Sequence, residues 1–227
     1  MKSWCIGTPS GRYVAKMEDV LQVYERPYDP RFPVVCFDEK SKELRATPRG
    51  HLPAAPAQPA REDYEYCRNG TCNLFLWVEP LVGRRKVVVT ARRTASDFAE
   101  QVRALVDNDY PEAQKIVLVV DNLNTHHPGA LYERYCPEEA SRINSKIEWH
   151  YTPEHGSWLN MAEIELSVLT RQCLKERMPE AEAVQTAIDL WQDRRNANAT
   201  PIRWQFRTSD ARIKLRRLYP TQQTNHD

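Results

Sequence analysis

Three acids in this chain, Asp38, Asp121 and Glu163, stand where carboxylates can act together. Ile116 to Val120 is an unbroken apolar run that stops on Asp121, and Phe32 to Phe37 stops in the same way on Asp38. An apolar run of that length predicts a strand buried on both faces. An acid at its exit falls on the rim of the sheet, where ligands of open α/β sheets collect. Glu163 opens an amphipathic stretch, Trp158 to Leu174, that follows another strand candidate at Ile147 to Tyr151. Two strand ends and a helix start thus offer oxygen donors suited to a hard divalent cation such as magnesium. Bare carboxylates held that close repel and raise one another's pKa, a penalty that a cation removes. Two cations about 4 Å apart could activate water on one side of a phosphodiester and stabilise the leaving 3′ oxygen on the other.

Several neighbours compete for, or assist, these roles. Glu165 rivals Glu163, because both fall on the edges of the stripe formed by Leu159, Ala162, Leu166, Leu169 and Cys173. Glu39 follows Asp38 directly, so an extended backbone turns it to the opposite face, where a salt bridge is expected. Asn122, Asn124, His126 and His127 follow Asp121 in a loop that could present donors to a phosphate, although a loop histidine is more often a surface or packing residue. Asn160 precedes Glu163 by three positions. Ser157 has no glycine-flanked nucleophile elbow around it and reads as a helix cap.

These residues need a sheet to hold them, and the rest of the chain supplies its pattern. Tyr13 to Tyr24 has helical periodicity, with Val14, Met17, Leu21 and Tyr24 on one face. The strand ending at Asp38 follows, then a proline-rich connection over residues 46 to 61, expected to be extended and unpacked. Asn73 to Glu79 and Arg85 to Thr90 read as a hairpin, and Thr94 to Val106 as a helix capped by Thr94 with Asp97 three residues later. The strand ending at Asp121, a helix starting near Pro128, the strand Ile147 to Tyr151, the helix carrying Glu163 and a last helix, Glu180 to Arg195, complete the order. The expected fold is a mixed five-stranded sheet flanked by helices, with an antiparallel start and right-handed strand-helix-strand crossovers, the order of the ribonuclease H-like fold. The boundaries predict a helical linker at 1–30, a catalytic unit at 31–198 and a basic tail at 199–227.

Composition narrows the class. The chain has 227 residues, 41% hydrophobic and 28% charged, with a net charge of +1, ordinary for a globular protein. Neither a membrane-span-length apolar stretch nor a signal-peptide core is visible, so a cytoplasmic location is expected. Charge is distributed unevenly: Arg203, Arg207, Arg212, Lys214, Arg216 and Arg217 face one acid, Asp210, between residues 203 and 217. A solvated helix face is the commoner origin of such a run, but the interleaved Trp204, Phe206 and Tyr219 favour stacking or phosphate contact. Cysteines 5, 36, 67, 72, 136 and 173 read as reduced core thiols. The Cys67–Cys72 spacing brushes zinc-knuckle spacing, but no second pair follows and the Asn69-Gly70 between them reads as a turn.

The segments VVCFDEKSKEL (34–44), YEYCRNGTCNLFLWVEPL (64–81), VLVVDNLNTHHPGALYE (117–133), YTPEHGSWLNMAEIELSVLTRQCL (151–174) and ARIKLRRLYP (211–220) together resemble the catalytic part of a DDE-superfamily transposase. The branch is the bacterial mariner-like group, the insertion-sequence family numbered 630. The resemblance runs from about residue 12 to 220. It implies that Asp38, Asp121 and Glu163 hold Mg2+ or Mn2+, and that Leu159-Asn160, two residues, then a glutamate selects Glu163 over Glu165. It implies cleavage at element ends and joining to target DNA at a TA dinucleotide, with Arg212, Lys214, Arg216 and Arg217 on backbone phosphates. A homodimer in the synaptic complex and a nucleoid-associated location follow from the same resemblance. Such proteins carry a helix-turn-helix segment upstream, whereas only 37 residues precede Asp38 here; a truncated copy, the second product of a split reading frame or a partial gene is expected, with a separate helix-turn-helix segment as one candidate partner. A non-catalytic DNA-binding or dimerising remnant, and a nuclease that hydrolyses without joining, are the alternatives.

Overall fold

Alternating burial builds the sheet in the computed structural model, which describes residues 10–48, 51–52, 54–59, 61–62 and 64–220. Every residue of β6 (Ile116–Val120) is buried: Val117 and Val119 enter one core, and Ile116, Leu118 and Val120 the other. In β1 (Val34–Ala46), Val34 and Cys36 oppose Val35 and Phe37 in the same way, and in β4 (Cys67–Glu79) Leu74, Leu76 and Val78 oppose Phe75 and Trp77. With β5 (Arg84–Thr90) and β7 (Ile147–Tyr151) they form a sheet of order β5-β4-β1-β6-β7. It is antiparallel around β4 and parallel where β6 meets β1 and β7. Separately, β2 (His51–Leu52) and β3 (Arg61–Glu62) pair as a small ribbon.

Helices α1 (Gly11–Tyr24), α5 (Met161–Gln172), α6 (Ala181–Ala197) and α7 (Thr208–Lys214) cover one face. Helices α2 (Ala95–Ala104), α3 (Gly129–Arg134) and α4 (Pro137–Ser145) cover the other. The result is a ribonuclease H-like fold, a mixed five-stranded sheet flanked by helices. The open side of β5 is not bare: Val89 and Val87 donate backbone N–H groups to Gln185 and Gln192 of α6, and Asn196 bonds the backbone of Arg85 in both directions. Side-chain amides thereby satisfy an edge that could otherwise pair with another chain.

Several elements differ from expectation for identifiable reasons. β1 does not end at Asp38 but runs to Ala46. What ends is its parallel pairing with β6, at Cys36 opposite Val119, while pairing with β4 continues. Asn69-Gly70 is not a turn; it lies within β4, where the register with β1 shifts and Gly70 takes φ +88°, a bulge geometry suited to glycine. The helix expected from Pro128 is two helices, because Pro137 forces Cys136 into an extended conformation and restarts the chain as α4. The proline-rich connection carries the β2–β3 ribbon and an Ala55–Gln58 bridge. Residues 1–9 and 221–227, Cys5 among them, lie outside the described residues.

The segments assigned as linker and tail both pack into the first core. Met17, Val20 and Leu21 of α1 are fully buried, as is Ala211 of α7, and Trp204 meets Tyr24 at a ring distance of 5.4 Å. Thr208 donates its backbone N–H to Glu25 at 2.9 Å. Of the cysteines, Cys36 and Cys72 are buried thiols as expected, but Cys67 and Cys136 are exposed.

Candidate active site

The β1–β6 register sets the site. Asp38 and Asp121 each stand two residues beyond the Cys36–Val119 pair, so both lie where the parallel ladder opens. Asp38 shares the face of β1 used by Val34 and Cys36, the face that α5 covers. Glu163 sits in the first turn of α5 and is exposed. Asn160 ties these parts together. It is fully buried, donates from Nδ2 to the carbonyl of Phe37 at 2.8 Å, and accepts the N–H of Ala162 at 3.1 Å as the helix cap. Asn160, not Ser157, therefore caps α5, and it links the residue before Asp38 to the turn that carries Glu163.

Asp38 is only 6% exposed and accepts the backbone N–H of Glu39 at 2.8 Å. Burial, then the charges of Asp121 and Glu163, push its carboxyl up to about 8. The three acids therefore share one electrostatic environment. Neither Asp38 nor Glu163 has an ion-pair partner among the described residues. Asp121 has a partner: its Oδ1 meets His126 Nδ1 at 2.5 Å and accepts the N–H of Leu123 at 3.2 Å.

Of the two ordinary roles of a loop histidine, His126 takes the packing one. It is 1% exposed, packs on Phe98 at a ring distance of 4.6 Å, and bridges the two faces of the rim. Its Nε2 lies 2.7 Å from Glu39 Oε2. Burial lowers its pKa, but the bonds to Asp121 and Glu39 outweigh that and raise it to about 9. Glu39 faces away from Asp38 and forms ion pairs, including a 3.6 Å contact with Arg93, as its position in an extended strand implies. Sequence reasoning missed Lys16: its Nζ reaches from α1 to Asn122 Oδ1 at 2.6 Å, beside Asp121. No local signal marks that contact, which joins positions far apart in sequence.

Glu165 faces the other way. It is 1% exposed and held by Arg85 and Arg195, each at 2.8 Å. Of the expected phosphate-contacting residues, Arg212 is bound to Glu18 through two bonds of 2.9 and 2.8 Å, and Tyr219 joins the same carboxylate at 2.7 Å. Arg212 thus pins the tail to α1. Lys214, Arg216 and Arg217 are exposed, and Lys214 lies over Phe206, whose ring meets Trp158 just ahead of α5.

The donor chemistry fits a hard divalent ion: carboxylate oxygens, one of them buried without counter-charge. As they stand, no three His, Cys, Asp or Glu side chains among the described residues are gathered closely enough to enclose an ion. The acids meet at the range of charge coupling. No described helix is long and apolar enough to cross a membrane.

Comparison with known proteins agrees with the fold. The structure is similar to the Mos1 mariner paired-end complex with Mn, at 18% identity and a TM-score of 0.52, over 88% of this chain and 62% of that one. It is similar to the Mos1 strand transfer complex at 16% identity and a TM-score of 0.54, over 88% and 63%. A pre-cleavage Mos1 transpososome matches at 16% identity and a TM-score of 0.51, over 88% and 66%. The chain thus spans less than two thirds of the transposase chains it matches, and the likeness is one of fold. No curated protein matches. A family model described as DDE superfamily endonuclease covers residues 33–185, the span that holds Asp38, Asp121 and Glu163, and the chain belongs to that family.

Proposed function

We propose that this chain is the catalytic domain of a transposase of the bacterial mariner-like group, the insertion-sequence family numbered 630. It would cleave DNA at element ends and transfer the exposed 3′ hydroxyl to target DNA, at TA. The observation that carries this reading is the register that sets Asp38 beside Asp121, with Glu163 in the first turn of the covering helix and Asp38 buried and lacking a cationic partner among the described residues.

Asp38, Asp121 and Glu163 would hold Mg2+ or Mn2+. Such ions, when bound, supply a lowered pKa for the attacking water or hydroxyl and charge stabilisation for the leaving 3′ oxygen. The chain's own residues set the scene for that chemistry. Asn160 fixes the first turn of α5 against β1, so the spacing between Asp38 and Glu163 is braced by buried hydrogen bonds. His126 holds one oxygen of Asp121 and leaves the other for a metal ion. Asn122 and Lys16 border Asp121 and can meet a phosphate oxygen. Lys214, Arg216 and Arg217 would contact backbone phosphates, while Arg212 keeps their segment docked on α1. We further propose a homodimer in the synaptic complex, with end recognition by a helix-turn-helix segment.

The reading is tested by incubating a pre-cleaved oligonucleotide end with manganese and a TA-containing plasmid and sequencing the junctions. Joined products at TA support strand transfer. Metal-dependent nicking without joining would favour a nuclease that only hydrolyses, and no metal-dependent product would overturn the catalytic reading.

A further inference from the structure

A cleft of about 340 Å³ runs from the acidic rim along the groove between β1 and α5, lined by Glu39, Lys40, Glu163, Leu166, Ser167, Thr170 and Arg171. Its position follows from two periodicities. Lys40 lies two residues after Asp38, on the same face of β1. Ser167 and Thr170–Arg171 lie one and two turns after Glu163, about 6 and about 11 Å along α5. The cleft is therefore acidic where Glu163 lines it, beside the rim, and basic beyond it.

The basic end is pre-arranged. Lys40 Nζ donates to Thr170 Oγ1 at 3.0 Å, and Thr170 donates its own hydrogen to the carbonyl of Leu166 at 2.7 Å. Thr170 thus fixes Lys40 in place, and an ammonium group keeps two further N–H donors. Neither Lys40 nor Arg171 forms an ion pair among the described residues, although Glu163 lines the same cleft. Many surface arginines here are committed, as Arg134 is to Glu100 and Arg142 to Asp107. A substrate that fits this polarity presents charge shielded by cations at one end and a bare anion at the next position.

We propose that this cleft is a backbone-phosphate subsite for the DNA strand leaving the carboxylates. Lys40 and Arg171 bind the phosphate next to the one at the acids, and Ser167 donates a hydroxyl hydrogen bond. The inference rests on the reading of the site as a DNA-cleaving centre. Thr170 acts only as a positioning residue, through Lys40.

The test is fluorescence anisotropy of a labelled duplex oligonucleotide with the full chain, without divalent ions, between 50 and 200 mM salt. In the Lys40→Gln/Arg171→Gln variant the slope of log K against log salt should become shallower by nearly two units, about 0.9 per lost phosphate contact. The charge-preserving Lys40→Arg/Arg171→Lys variant should keep the wild-type slope. An unchanged slope in the first variant, or an equal loss in both, overturns the subsite. Metal-dependent nicking by the wild type is scored in parallel. If nicking occurs but the slope is unchanged, the subsite fails and the catalytic reading stands; if nicking is absent, the catalytic reading fails and the slope still decides the cleft.

Discussion

Asp38 and Asp121 are brought to one place by the parallel β1–β6 ladder, whose last pair, Cys36 with Val119, stands two residues before each of them. Sheet register alone fixes their neighbourhood, and neither depends on a flexible loop to find the other. The cost of that arrangement appears in Asp38, whose carboxyl is buried and held up to about 8 by desolvation and by its acidic neighbours.

That cost predicts a linked effect of metal and pH. Without metal, the folded chain keeps the Asp38 proton up to about pH 8, while the unfolded chain releases it near pH 4. Stability from this group therefore falls as pH rises between those values. Asp38→Asn should make the metal-free protein more stable at pH 8. Manganese at a hundred times its Kd should stabilise the wild type by about 2.7 kcal/mol and leave the variant nearly unchanged. Calorimetry giving identical wild-type melting with manganese and with chelator would refute this.

The tail makes a second prediction, which separates docking from DNA contact. Replacing Lys214, Arg216 and Arg217 with alanine should weaken binding to all DNA sequences alike and flatten the salt dependence by about one unit per lost contact. Arg212→Ala should leave the slope near wild type, because its guanidinium is engaged by Glu18. Its loss should instead loosen α7 from α1, read as a small drop in melting temperature. A slope that responds to Arg212 as strongly as to Arg217 would contradict the assignment.

A third prediction concerns the seam between α1 and β7. His150 is 7% exposed and bonds Asp19 at 2.7 Å and Glu148 at 2.9 Å, and Glu148 also meets Arg26. Burial lowers its pKa, but the two carboxylates raise it further than burial depresses it. The pairing thus stabilises the fold fully below about pH 6.5, the unfolded value, and is lost as pH rises through the raised folded value. The difference in melting temperature between wild type and His150→Gln should shrink across that window. A constant difference from pH 6 to 10 would show that the imidazolium contributes nothing.

How far the sequence exposed this architecture depended on whether the deciding contacts were local. β6 was legible because both its faces are covered, so all five residues are apolar. The true length of β1 was hidden: beyond Asp38 it pairs only with β4 and turns polar, and residues such as Lys42 serve the segment just past α5 by donating to the Leu174 carbonyl. The burial of His126 was invisible because it needs Glu39 and Phe98, both remote in sequence. The choice between Glu163 and Glu165 could not be made from helical periodicity, since both sit at the stripe's edges. Packing separates them, because Glu165 is claimed by Arg85 and Arg195.

That separation supplies the most direct test of the proposed centre. Metal-dependent nicking of a duplex oligonucleotide should fall by more than about 100-fold in Glu163→Gln, beyond the losses usual for groups that merely support a metal ligand, with the melting temperature kept. Glu165→Gln should show the reverse. It strips a partner from two arginines, one fully buried, and should cost about 3–5 kcal/mol of stability while the folded fraction still nicks. Loss of nicking in Glu165→Gln at a temperature where it remains folded, with Glu163→Gln active, would contradict the assignment of the third acid.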